Sequence, residues 1–182
     1  YFNTCSNQTG QVTMNQLTLL PDGTGNGKEV HAGCPRYPTE CAGGSLPGFR
    51  EIWYGATVTL PSQCDYWTFY TSITARNTNH NVSGSTVLYV EAILNNLTVQ
   101  QQSSPWFSTP PVPYVCVNSP YTLNNGAVDP DNDSLSFEFI YPRTISGSNC
   151  VGYYNAANLS FSAGYSLAEP FATGNTFQFD PL

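Results

Sequence analysis

Charge is what this sequence has least of. Asp, Glu, Lys and Arg make up 9% of its 182 residues, against about 25% in an ordinary soluble domain. Positive charge is scarcest: Lys28, Arg36, Arg50, Arg76 and Arg143 are scattered and form no patch. Nucleic acid is recognised through a concentrated basic footprint, and anionic lipid through a polybasic segment. Neither is expected as a partner. No run approaches the ~20 apolar residues of a membrane-spanning helix, so direct membrane insertion is not expected either. The chain opens on Tyr1 without a signal-like leader and reads as a mature or excised piece, with any anchor lying outside it.

Other absences narrow the chemistry. No C-x-x-C occurs, and His31 and His80 are lone histidines in polar stretches, so the close Cys/His pairs of a structural zinc site are missing. Gly-x-Ser-x-Gly, H-E-x-x-H and P-loop motifs are absent too. Glu51, Glu91 or Glu138 could be assembled in space into the carboxylate pair of a glycosidase, but nothing in the sequence selects a pair. A catalytic role is therefore not expected. Helical periodicity is also lacking: no segment of helical length repeats at 3.6 residues.

What is present points to β-structure outside the cell. The apolar fraction is 40%, with 12 Tyr and 10 Phe, and aromatic and β-branched residues favour strands. Polarity comes from Asn, Ser, Thr and Gln. The six cysteines, Cys5, Cys34, Cys41, Cys64, Cys116 and Cys150, are even in number and widely spaced, which suits disulfides in an oxidising compartment.

Period-two alternation recurs, the mark of strands with one buried face. Ile52, Tyr54, Ala56, Val58 and Leu60 share a face. So do Trp67, Phe69, Ile73 and Ala75; Leu88, Val90, Ala92 and Leu94; and Leu135, Phe137, Phe139 and Tyr141. Val12, Met14 and Leu17 to Leu20 suggest a strand near the start, and Phe177 and Phe179 one near the end. Turn formers separate these runs, as at Gly43-Gly44-Ser45 and Asn124-Asn125-Gly126. The expected class is all-β, as tandem immunoglobulin-like β-sandwich domains.

The Gln- and Pro-rich stretch 100–113, with Pro105, Pro110, Pro111 and Pro113, marks the expected boundary, because proline stiffens a chain and removes backbone donors. It divides the chain into domains 1–104 and 105–182. The second is short for a sandwich of ~100 residues, so the parent polypeptide is expected to continue past Leu182 and the domain to be truncated here. If disulfides stay within domains, Cys116 pairs with Cys150. Cys5, Cys34, Cys41 and Cys64 then have three possible pairings.

Half of the six Asp residues, Asp129, Asp131 and Asp133, fall within five positions. Neighbouring carboxylates repel, and a hard cation taking oxygen ligands would reverse that, which fits Ca²⁺. The spacing opens like an EF-hand, but Ser134 and Ile140 stand where Gly and Glu are required. Two readings stand: a calcium site of weak extracellular affinity, about 10⁻⁴ to 10⁻³ M, or a solvated Asp/Asn/Pro turn. Trp53, Trp67 and Trp106 could form a sugar-stacking platform, although aromatics at strand spacing more often serve as core or cross-strand pairs. Sequons at Asn7, Asn81, Asn96, Asn132 and Asn158 are of a number expected from so Asn-, Ser- and Thr-rich a composition.

The stretches Pro111-Val-Pro-Tyr-Val-Cys-Val-Asn118 and Asn125-Gly-Ala-Val-Asp-Pro-Asp-Asn-Asp-Ser-Leu-Ser-Phe137 resemble the PKD-like and cadherin-like repeats of large cell-surface proteins of gliding bacteria. Those proteins are exported by the type IX secretion system. Gly44-Ser-Leu-Pro-Gly48, Gly55-Ala-Thr-Val-Thr-Leu-Pro61 and Tyr89-Val-Glu-Ala-Ile-Leu-Asn95 fit the same pattern in the same order, so the resemblance covers about residues 42–137. It implies a structural or adhesive repeat of a surface adhesin or fibre, with calcium on Asp129, Asp131 and Asp133. The partners it implies are neighbouring repeats or copies, surface glycans or other surface proteins. Thr74 and Ala75 stand before Arg76-Asn77 where that family often has a Cys pair, so the first domain's disulfides are expected to differ. Asp133-Ser134-Leu135 resembles the O-glycosylation signal of the same bacteria. The alternatives are a carbohydrate-binding module of a secreted enzyme and a subunit of a self-assembling filament.

Overall fold

A computed structural model describes residues 1–20, 23–30, 38–74, 76, 79, 81–84, 87–99, 101–109, 124, 126–145 and 156–170. Among these the chain is built from short antiparallel strands, with one turn of 3₁₀ helix at Glu40–Ala42 and no α-helix. No helix is long and apolar enough to cross a membrane. The strands are β1 (Phe2–Asn3), β2 (Asn15–Gln16), β3 (Glu29–Val30), β4 (Phe49–Arg50), β5 (Tyr54–Gly55), β6 (Trp67–Thr74), β7 (Val87–Leu94), β8 (Trp106–Phe107), β9 (Ala127–Val128), β10 (Arg143–Ile145) and β11 (Ala156–Asn158).

The residues group into two compact units, neither of them contiguous in sequence. One comprises Tyr1–Gln11, Leu60–Gln102 and the described part of Ser136–Phe179; the other comprises Val12–Thr59 and Ser103–Leu135. Both units draw on each side of the stretch 100–113.

The first unit is organised on a three-stranded sheet in the order β1-β6-β7. Trp67 pairs with Leu94 and Thr74 with Val87 along eight residues of antiparallel ladder. β-Branched and aromatic residues fill both strands and suit the pleated surface. Trp67 is fully buried, with the Tyr1 ring 5.7 Å away and its indole N–H donating to the Ser62 carbonyl at 3.3 Å. Tyr1 also lies 5.9 Å from Phe69, on the same face. A Cβ on Gly10 would come within 2.4 Å of the Tyr1 ring, so that turn tolerates only glycine if the ring is to stay.

The opposite face of the sheet is capped by the β10–β11 hairpin, in which Arg143 pairs with Asn158 and Ile145 with Ala156. Arg143 reaches Glu91 of β7 in an ion pair and lies over the Tyr89 ring at 5.6 Å. Tyr70 stacks at 5.9 Å from Tyr89 on the same side. Arg76 adds a hydrogen bond to the Arg143 carbonyl at 3.4 Å.

This reverses the expected inside and outside of β7. Leu88, Val90, Ala92 and Leu94 form one face, but Leu88 is 38% and Val90 52% exposed, whereas Tyr89 is 7% exposed. The hairpin covers the Tyr89 and Glu91 side because Arg143 satisfies the carboxylate there, which makes burial of a polar pair possible. The expected strand over 134–141 is not formed. Phe137 and Phe139 are each 37% exposed and the segment carries no strand. Alternation supplies a face to bury, but a strand also needs a ladder partner. Phe177 and Phe179 lie outside the described residues.

The second unit consists of two-stranded ribbons: β2 with β5, β3 with β4, and β8 with β9. Short ribbons leave many backbone groups without a ladder, and side chains fill the gaps. The Asn26 amide donates to the carbonyls of Leu17 and Trp53 at 2.7 and 2.8 Å and accepts from the Trp53 N–H at 2.9 Å. Thr39, nearly buried, donates its hydroxyl to Glu29. The all-β expectation therefore stands, in the form of small antiparallel sheets.

Candidate functional site

The acidic loop follows directly from β9. Because β8 and β9 are antiparallel, with Trp106 opposite Val128, the residues before β8 meet those after β9. Asp129, half-buried, is the hub: its carboxylate Oδ1 accepts the N–H groups of Asp131 at 2.8 Å and Asp133 at 3.2 Å. Its carbonyl accepts from the Asn132 N–H at 3.2 Å. Asn132 takes the left-handed conformation, φ 63°, which Asn tolerates better than most residues. Asp131 accepts from Ser103 through both the backbone N–H, at 2.5 Å, and the hydroxyl, at 3.4 Å.

In this arrangement the carboxylates of Asp129 and Asp131 close a turn and fasten it to the chain before β8. The donor set is the hard-oxygen chemistry that calcium prefers. The three carboxylates are not among the groups whose ligand atoms all lie within 4.8 Å of one another. Among the described residues the trio of His, Cys, Asp or Glu atoms lying within 4.8 Å of one another is Cys5, Cys64 and Asp65. Two of those three are joined to each other as a disulfide, so their sulfurs are not free thiolate ligands.

That disulfide is the second element of chemical interest. β1 runs antiparallel to β6, with Phe2 opposite Thr68 and Asn3 opposite Trp67. Continuing the register puts Cys5 across from Asp65 and beside Cys64. The Cα atoms are 5.9 Å apart, inside the usual range for a bridge. The bond selects one of the pairings that the sequence left open. Cys41 has no disulfide partner among the described residues, and Cys34, Cys116 and Cys150 lie outside them.

The other candidates resolve individually. Glu51 accepts the Trp53 indole N–H at 2.7 Å. Glu91 accepts from Arg143 and from the Tyr89 hydroxyl, the latter at 2.8 Å. Glu138 is exposed. Trp67 is core, Trp53 is half-buried and Trp106 is 48% exposed. His31 and His80 lie outside the described residues. Burial, the hydrogen bond to Glu91 and that carboxylate's charge hold the Tyr89 hydroxyl far above the ordinary tyrosine range, against the opposing pull of Arg143. Sequence reasoning missed this Tyr89–Glu91–Arg143 cluster. Its one signal was an Arg far along the chain from an alternating strand that carries a Glu.

Comparison with known proteins gives no match. No family model, curated protein or solved structure matches this chain.

Proposed function

We propose that this chain is a structural and adhesive segment of a large secreted bacterial surface protein or fibre, whose acidic loop takes calcium as a stiffener. The observation that carries the reading is the Cys5–Cys64 disulfide, which fastens the first strand to the central sheet. Such cross-links persist in oxidising, extracellular settings. The charge-poor composition and the resemblance of residues 42–137 to surface repeats support the same reading. Exposed Trp106 and Phe107, at 48% and 60%, favour carbohydrate binding as the second reading.

Single-molecule pulling tests the first. A load-bearing segment ruptures cooperatively, and the chain between Cys5 and Cys64 stays locked until a reductant is added. A chain that yields gradually under the first load would sink the proposal. Retention of the fragment on polysaccharide, without cooperative rupture, would move it to the second reading.

A further inference from the structure

The two sulfurs of the disulfide stand in unequal surroundings. Cys5 is exposed, whereas Cys64 is fully buried. Asp65 places its carboxylate Oδ1 3.4 Å from Cys5 Sγ and 3.7 Å from Cys64 Sγ. A disulfide sulfur carries no proton, so these are contacts of a full negative charge with the bond and not hydrogen bonds. One donor faces the buried sulfur, the Tyr66 N–H at 3.4 Å.

We propose that Asp65 is an electrostatic guard of the Cys5–Cys64 bond, selecting against reduction by anionic thiols. Exchange begins when an external thiolate attacks a sulfur of the bond. Burial of Cys64 leaves Cys5 Sγ as the reachable target. The incoming thiolate forms a bond to Cys5 Sγ, the Cys5–Cys64 bond breaks, and its electron pair leaves on Cys64 Sγ. Cys64 then takes a proton from solvent, and a second external thiolate releases Cys5, so that the external thiol is oxidised to its own disulfide.

Asp65 opposes this at two points. Its charge repels an anionic attacker approaching Cys5, and it raises the free energy of the leaving thiolate on Cys64, which burial already disfavours. The neutral Tyr66 N–H acts in the opposite direction, equally in the wild type and in Asp65→Asn.

The test compares Asp65→Asn with the wild type in three thiols: cationic cysteamine, neutral 2-mercaptoethanol and anionic mercaptoacetate. The readout is the rate at which Cys5 and Cys64 become alkylatable, mapped by mass spectrometry at low ionic strength. Taking the variant-to-wild-type ratio for each thiol cancels its intrinsic reactivity. The expected acceleration is about fivefold for the neutral thiol, the size of one unscreened charge contact at about 4 Å in water. It is larger for mercaptoacetate, smallest for cysteamine, where the leaving-group effect alone remains, and shrinks in strong salt. A ratio of one for all three thiols overturns the proposal. So does the same acceleration for all three, because that is the signature of a loosened loop.

Discussion

Asn96 accepts the Cys64 N–H at 2.8 Å and donates to the Ser62 carbonyl at 3.2 Å. Asn3, 1% exposed, accepts the Ser6 N–H at 2.8 Å and donates to Gln8 at 3.2 Å. Asn26 does the same across three segments of the second unit. An amide carries both donors and an acceptor, so it can stand in for a missing strand neighbour where a carboxylate or ammonium can do only half. This is why the chain manages with so little charge. No buried side-chain nitrogen or oxygen among the described residues is left without a partner. Asn96→Ala should therefore be costly for a half-exposed position. It orphans the amide of fully buried Cys64, and the loss should be about 2 kcal/mol in urea unfolding. Asn96→Asp keeps the acceptor and loses the donor, so it should cost less. Equal losses for the two would mean that the Cys64 N–H finds another acceptor.

At the scale of elements, β6 and β7 were legible because eight-residue alternation with β-branched and aromatic side chains has few other solutions. Their inward face was not. A pattern of Leu88, Val90 and Ala92 reads as core only if the alternate set is polar and solvated. Tyr89 and Glu91 are instead hidden by Arg143, a residue 52 positions downstream of Glu91 that no local pattern connects to β7. The cluster has a pH consequence. Burial first, and then the hydrogen bond to Glu91, raise the folded-state pKa of Tyr89 above its unfolded value near 10. The unfolded chain therefore loses this proton first as pH rises. The stabilisation is complete below about pH 10 and is lost progressively above it. Melting midpoints measured from pH 8 to 11 should fall more steeply in the wild type than in Tyr89→Phe. Parallel curves for the two proteins would show that Tyr89 titrates alike in both states.

For the molecule as a whole, the class was readable and the connections were not. Aromatics, Asn-rich turns and the lack of helical periodicity suffice for an all-β chain, and an even cysteine count suffices for disulfides. Choosing Cys64 for Cys5 requires knowing that β1 lies beside β6, a contact across 59 residues of sequence. The three aspartates were visible at once, but the partner of Asp131 was not. Ser103 approaches only because β8 and β9 pair.

That partner sharpens the calcium question, since Asp131 would ligate the cation through the lone pairs that the Ser103 bonds leave open. With an affinity of about 10⁻⁴ to 10⁻³ M, calcium at about 10 mM would stabilise the chain by roughly 1.4 to 2.7 kcal/mol. That is a rise in melting midpoint of about 3 to 10 °C for a chain of this size. Asp131→Ala should abolish the rise. It also removes the Ser103 bonds, so its midpoint without calcium should already be lower, and the diagnostic quantity is the calcium-dependent difference within each protein. A wild-type shift that disappears in Asp131→Ala makes the loop a cation site that stiffens the unit carrying it. No shift in either protein leaves Asp129 and Asp131 as the hydrogen-bonded closure of a turn. Stiffness would then rest on the disulfide and the packed sheet.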